Sequence, residues 1–291
     1  MVHEVGEKAR ALRLGTDVRW GLVWLLGVSV LAGWNAAFLN EPARKLLQTA
    51  FVHSLIAGAL SVCAALAMGW MLGVLLHALE SRQRYAARYL VTFVLNVLRS
   101  IPQILGVLAG YMILTTLIRG EVLEHDSGQL AWMAASISLM LCPEVTDLVL
   151  ERIRYFSRHD FVPALRCCGV SEVRIVNIEI LWRNSREHLI HAAIALFGSA
   201  LFLQCSVDFI VSVGLARDVS LANFPVSLGG LLARLDSKQD ILAIGKAMLD
   251  IGYLPTLFVR HLQGISTAVV IVFSLVCVHK VANAFVRRKG L

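Results

Sequence analysis

Six long apolar stretches constrain this chain more than any other feature. They run from Trp20 to Phe38, about Gln48 to Leu76, about Tyr89 to Leu117, Gln129 to Leu150, about His188 to Leu215 and about Gln263 to Phe285. A helix of about 20 apolar residues, rising about 1.5 Å per residue, crosses a hydrocarbon core of about 30 Å, and longer stretches fit with tilt. Backbone groups in lipid have to be satisfied within the element. None of the stretches alternates with the two-residue period of a barrel strand, so helices follow. Composition agrees, with 57% hydrophobic and 16% charged residues and a mean hydropathy of +0.70, where a soluble domain carries about a quarter charged residues. The expectation is an all-α integral membrane protein, with one membrane domain at 20–291 behind a polar cytoplasmic tail at 1–19. The mixed charge of that tail and the length of the run after it argue against a cleaved signal peptide.

The formal charge of +7 raises the question of nucleic acid, and the distribution of the charges answers it. With both termini inside, eighteen of the 27 basic residues fall on cytoplasmic segments. They include Arg82, Arg84 and Arg88, seven arginines from Arg152 to Arg186, and Lys280 and Arg287 to Lys289. Eight fall outside: Arg44, Lys45, Arg119, Arg217, Arg234, Lys238, Lys246 and Arg260. This is the positive-inside bias of a six-helix, N-in and C-in topology, and it explains the basic balance without nucleic acid. The six cysteines (Cys63, Cys142, Cys167, Cys168, Cys205 and Cys277) form neither a zinc spacing nor a CxxC motif, and are expected as free thiols.

Two connections are long enough to carry function: a cytoplasmic loop at 151–187 and an outer loop at 216–262. In the first, Asp160 is placed to cap a helix and Pro163 is tolerated in its first turn. Phe161, Ala164, Leu165 and Cys168 make an apolar stripe at helical spacing. Gly169 then ends the helix. Ser171 is placed to cap a second helix, with Val173, Ile175, Val176, Ile178, Ile180 and Leu181 following. Such a short amphipathic helix either docks into a partner's groove or lies on the lipid interface, and pattern alone leaves both open.

The run Asp160-Phe161-Val162-x-Ala164-x-Arg166-x-x-Gly169-x-Ser171-x-x-Arg174-Ile175, followed by Ile180-Leu181, resembles the EAA loop of ABC importer permeases. It is most similar to the second permease of the dipeptide, oligopeptide and nickel branch. Weaker similarity runs from about Phe51 to the end. The departures are Pro163 at the motif's acidic position, Leu165 at its second alanine, and Trp182 where proline follows Ile-Leu. The resemblance implies a type I importer permease fold with a cytoplasmic coupling helix. It assigns ATPase coupling to Asp160, Phe161, Val162, Ala164, Leu165, Arg166, Gly169, Ser171 and Arg174. It implies as partners a second homologous permease, two cytoplasmic ATPases carrying ATP and Mg, and a periplasmic or lipoprotein solute-binding protein, in a bacterial inner membrane. The implied cargo is a peptide, a peptide-like compound or a metal chelate. A methionine- or phosphonate-type importer, whose third span carries a similar Arg-x-Ile-Pro, is the alternative within transport. A membrane scaffold without transport is the alternative outside it.

Within the stretches, Arg99, Pro102, Gln204 and Asp208 are the candidate translocation-path residues. An arginine at a helix centre costs about 2.5–3.5 kcal/mol on insertion scales, so Arg99 is expected to face protein or water, and a structural ion pair with Glu144 or Asp147 is preferred. Pro102 permits a kink in the third span. Asp208 is read either as a contact for a cationic cargo or as an outer-interface carboxylate in water. The outer loop carries an amphipathic run, Ile241, Leu242, Ile244, Met248 and Leu249, which either meets the binding protein or lies on lipid. His188 and His191, one turn apart, make a weak metal site, and interfacial packing is preferred. No phosphate-binding Gly-Lys-Ser/Thr loop, nucleophile elbow or HExxH motif occurs. The chain is therefore expected to perform no covalent chemistry and to bind no cofactor of its own.

Overall fold

A computed structural model describes residues 16–123, 125–214, 224–233, 242–243, 245–253, 255–256 and 262–289. Among these residues every regular element is a helix. The elements are α1 (Thr16–Phe38), α2 (Glu41–Ser81), α3 (Tyr85–Ser100), α4 (Gln103–Arg119), α5 (Asp126–Phe156), α6 (Phe161–Cys167), a single α-turn at Glu172–Arg174 leading into a π-helix (Ile175–Asn184), α7 (Arg186–Gly214), α8 (Leu228–Leu232) and α9 (Leu262–Lys289). Five helices are long and apolar enough to cross a membrane (α1, α2, α5, α7 and α9), or six if α3 and α4 count as one broken span. The chain is thus compatible with a multi-pass membrane protein. Most of the N-terminal tail, and Arg217, Arg234, Lys238 and Arg260 of the outer loop, lie outside the described residues.

The third apolar stretch is not the single kinked span expected from it. α3 and α4 meet at 96°. Pro102 lacks an N–H, and its ring pushes the preceding residue out of the helical region. Ile101 is accordingly extended (φ −84°, ψ 125°), and Pro102 follows at φ −55°, ψ 127°. Two consecutive non-helical residues turn the chain where one proline inside a helix would only bend it. Pro143, buried inside α5, shows the milder case. It cannot donate to the Leu139 carbonyl, and the Cys142 thiol donates to that oxygen instead, at 3.3 Å.

The chain divides into two compact units, one holding α1, the start of α2 to Leu47 and the C-terminal segment, the other running from Gln48 to Arg234. In the first, α1 and α9 run antiparallel. Trp24 Nε1 donates to Ser274 Oγ (3.0 Å), Ser266 Oγ to Asn35 Oδ1 (2.7 Å), and Lys280 lies over the Trp20 ring. The apolar run of the outer loop turns its large side chains outward. Leu242, Met248 and Leu249 are exposed, and the small Ala243 and Ala247 pack with Ile265 instead. Ile241 and Ile244 lie outside the described residues.

The second unit is built around α5. Its buried side chains Met133, Ile137, Leu141, Val145, Val149 and Ile153 recur every fourth residue, the ridge that packs into a neighbouring helix's groove. α2 approaches this ridge through glycine. A Cβ on Gly69 would lie about 2.4 Å from Val145 Cβ, and one on Gly73 about 2.9 Å from Val149 Cβ. Gly69→Ala is expected to overpack this contact by roughly 1–3 kcal/mol and lower the melting temperature in detergent. Gly21→Ala, where the added methyl meets nothing within 4 Å, should leave it unchanged or raise it, alanine being the better helix former. Equal melting temperatures for the two variants would refute the close approach of α2 and α5.

Candidate functional site

The sequence-derived residues fall into three separate places, and the structure does not bring all four translocation-path residues together. Arg99 ends α3, where a cation suits the helix dipole. Its Nη2 lies 2.5 Å from Asp147 Oδ1 on α5, and its Nη1 donates to Asn96 Oδ1 at 2.9 Å. Glu144, one turn earlier on α5, instead accepts from Gln103 Nε2 at 2.8 Å. The Arg99–Asp147 and Gln103–Glu144 pairs therefore tie both sides of the Pro102 break to α5. Arg99 and Pro102 themselves are exposed.

Gln204 and Asp208 lie one turn apart on α7, in a different place. Tyr111, which neighbours Asp208, lies nine residues beyond Pro102 along α4, roughly 13 Å at 1.5 Å per residue. Gln204 is fully buried and Asp208 is 6% exposed, which excludes the reading of Asp208 as a carboxylate in water. The Asp208 carboxylate faces Ser227 and the Tyr111 hydroxyl. Tyr111 Oη and Asp208 Oδ2 nevertheless lack a hydrogen bond of good geometry among the described residues, as do both side-chain atoms of Gln204. Each unsatisfied buried group costs about 1–3 kcal/mol, so this is a polar cluster held in place by its surroundings.

Those surroundings are the segment from Phe224 to Ala233. Ser227 caps α8, its Oγ accepting from Gly230 N at 3.1 Å. The Ser54 hydroxyl of α2 accepts from Leu228 N at 3.0 Å, and His53 Nδ1 lies 3.1 Å from the Val226 carbonyl. Phe224 stacks on Tyr111 with ring centroids 6.4 Å apart. α8 presses its backbone onto α7 at Gly229, where an added Cβ would lie 2.3 Å from the Cys205 carbonyl oxygen. Nothing in the local pattern marks Tyr111, which sits in an apolar run like any core tyrosine. Ser227 carried a signal, because serine ahead of Leu-Gly-Gly-Leu is a helix N-cap pattern.

The third place is the 151–187 loop. Val162 is fully buried, and Phe161, Leu165 and Val170 pack against the same core. Asp160, Ala164, Arg166, Gly169, Ser171 and Arg174 are exposed, so the implied coupling residues split into an anchoring side and an outward side. Two expected caps are not made. Asp160 is already helical (φ −60°, ψ −22°) and its side chain makes no cap bond, because the turn from Ser157 leads straight into α6. Ser171 takes the extended conformation of a cap residue, yet only its carbonyl engages, accepting from Ile175 N at 3.0 Å. The glycine stop is a Schellman motif. Gly169 has φ +79°, Gly169 N donates to Arg166 O (3.0 Å) and Val170 N to Leu165 O (3.1 Å).

Glu172 was not singled out from sequence, yet it closes the turn. Arg166 donates to it through Nε (3.0 Å) and Nη2 (2.6 Å), and His77 lies 3.9 Å away. Six residues separate the pair, and only the folded glycine turn brings them together. The second helix of the loop is a π-helix rather than an α-helix. Its buried residues Ile175, Val176, Ile180 and Leu181 recur at the five-residue interval of i→i+5 bonding, which sequence spacing could not separate from an irregular apolar run. Trp70 of α2 donates to Asn177 Oδ1 at 2.7 Å, fixing the π-helix to the bundle. His188 lies 3.2 Å from Arg152 Nη1, and no group of three or more metal-ligating side chains occurs among the described residues.

Compared with known proteins, the chain matches no family model and no curated sequence.

Two outcomes follow from these contacts. The Arg166 hydrogen bonds hold the Glu172 carboxyl below its usual range, with a smaller contribution from His77. A carboxyl depressed on folding stabilises above its unfolded value of about 4.3 and loses that contribution as pH falls through the folded value. The pair is about half exposed, so its worth is only about 0.2–1 kcal/mol. Amide protection at Cys168, Gly169 and Val170 is expected to drop as pH falls below about 4, and to drop already at neutral pH in Glu172→Gln. Unchanged protection in the variant would exclude the clamp. Gly229→Ala is expected to lift α8 from α7 at a cost of roughly 1–3 kcal/mol. Cys205, as the sole remaining cysteine, should then react faster with a membrane-permeant maleimide, and an unchanged rate would refute the packing of α8 on α7.

Proposed function

We propose that this chain is the membrane-spanning permease subunit of an ATP-driven importer in a bacterial inner membrane, with both termini cytoplasmic. The observation that carries the reading is the 151–187 loop. A seven-residue helix is anchored on one side through Val162 and presents Ala164 and Arg166 on the other, with Arg174 exposed in the turn beyond Gly169. It is stopped by Gly169 and joined by the π-helix to α7. A helix built this way receives a push from a cytoplasmic partner and passes it to the bundle.

In this reading two ATPases hold the loops of this chain and of a second, homologous permease. ATP binding draws the loops together. Because Phe161, Val162 and Leu165 share a core with α5 and the π-helix, the displacement reaches α7 and the Gln204–Asp208 cluster as a rigid-body change between two packed states. An external solute-binding protein delivers the cargo, a peptide, peptide-like compound or metal chelate. The Arg99–Asp147 pair serves as a brace across the α3–α4 break, and Asp208 supplies the buried negative charge that favours a cationic group on the path.

The test is co-purification in mild detergent from the native host, beside Gly169→Pro. Proline cannot adopt φ +79° and breaks the turn. The native chain is expected to bring down ATPases and a second permease, and the variant to lose the ATPases while retaining the permease. A native chain that purifies without any ATPase under several mild conditions would overturn the importer reading in favour of a membrane scaffold.

A further inference from the structure

A groove of about 550 Å³ opens between α2 and α7, within the roughly 300–1,000 Å³ range of ligand pockets. Leu66, Trp70 and Met71 line one wall, Leu189 and Ala193 the other, and Trp182 and Arg186 stand at its end. Arg186 begins both α7 and its apolar segment of membrane-crossing length, so it marks the level at which the chain leaves the polar layer. Trp182 is 62% exposed at the same level, the position tryptophan favours at a membrane boundary. The neighbouring arginines are engaged, Arg183 with Glu179 at 3.0 Å and Arg152 with Glu151 at 3.2 Å. No described hydrogen bond or ion pair takes the Arg186 side chain. Glu187, the acidic residue of the same turn, is not part of the lining. The groove also ends at the N-terminus of a long helix, whose dipole favours an anion.

An apolar slot closed at the membrane boundary by an indole and a guanidinium without a partner among the described residues matches one chemistry. We propose that this groove binds an anionic phospholipid, an acyl chain lying against Trp70 and Leu189 and the phosphate on Arg186. The larger groove of about 890 Å³ between α2 and α3 has no charged residue in its lining. It offers lipid tails a surface but no means of choosing a headgroup. The proposal does not depend on the importer reading.

The test is native mass spectrometry of the purified chain titrated with phosphatidylglycerol or phosphatidylcholine of the same acyl composition. The wild type is expected to retain phosphatidylglycerol preferentially. Arg186→Glu should lose that preference by at least about five-fold, the effect of one basic residue near a charged membrane surface, and Arg186→Lys should keep most of it. Ala193→Trp, which fills the groove and leaves the charge, should weaken retention of both lipids. Arg119→Glu, at an exposed arginine on another helix end, is the control. Glycerol phosphate should not compete, since it lacks the acyl chain. The proposal fails if Arg186→Glu behaves as Arg119→Glu does, if glycerol phosphate displaces the lipid, or if a co-purifying protein occupies the groove in its place.

Discussion

Backbone satisfaction within each helix is the constraint on which this structure depends. The five helices of membrane-crossing length among the described residues are compatible with a bilayer, where no solvent takes up a freed carbonyl or amide. The helices answer it locally. Ser61, Thr115, Ser136, Thr146 and Thr267 each turn their hydroxyls back onto the carbonyl four residues earlier. Cys142 does the equivalent for the carbonyl that Pro143 leaves unpaired. At Pro102 the helix stops, and the Ser100 hydroxyl turns back onto the Asn96 and Val97 carbonyls of the last turn. Long-range side-chain pairs, Arg99 with Asp147 and Gln103 with Glu144, tie the two sides of the break to α5. A one-residue difference in context, an extended Ile101 before the proline, separates a helix that continues from one that turns through 96°.

Against that economy the Gln204–Asp208–Tyr111 cluster is an exception. Its groups are buried, close, and short of partners, and they are held so by packing that tolerates no side chain at Gly229. Natural folds carry such deficits where function requires them. A low local dielectric makes each such unpartnered group costly, so the packing around Gly229 carries the cluster.

Sequence pattern located most helices within a few residues, because length and apolarity alone define a membrane-crossing helix. It located the glycine turn for a similar reason, since φ +79° at Gly169 is a demand that one residue type meets freely. The Arg99–Asp147 pair was legible because an isolated arginine in an apolar run requires a partner. What pattern missed is long-range or collective. Tyr111 and Asp208 lie 97 positions apart in the numbering, and nothing in either neighbourhood marks the other. The caps expected at Asp160 and Ser171 rested on residue type, whereas the conformation of the preceding turn decided whether those side chains were needed. At the outer loop, pattern picked out the large apolar Leu242, Met248 and Leu249, which are exposed, but not the small Ala243 and Ala247 that are buried.

The π-helix joins these threads. A wider turn places Ile175 and Ile180, and Val176 and Leu181, on one buried line, where an α-helix would rotate the second pair away by about 140° over five residues. The core contacts of the loop therefore hold only while the segment stays in i→i+5 register. Asn177 is fixed by Trp70 at 2.7 Å and itself donates to the Val173 carbonyl at 3.0 Å. Glu172, just before the segment, is clamped to Arg166 on the other side of the glycine turn. The clamp therefore ties α6 to the residue that precedes the π-register. π-Segments inside α-helical structure occur mostly as single turns at functional sites, and this one lies between the outward-facing loop helix and the helix that carries Gln204 and Asp208. The π-register is thus what joins the outward-facing loop helix to α7 while keeping Ile175, Val176, Ile180 and Leu181 in the core shared with the α5 ridge.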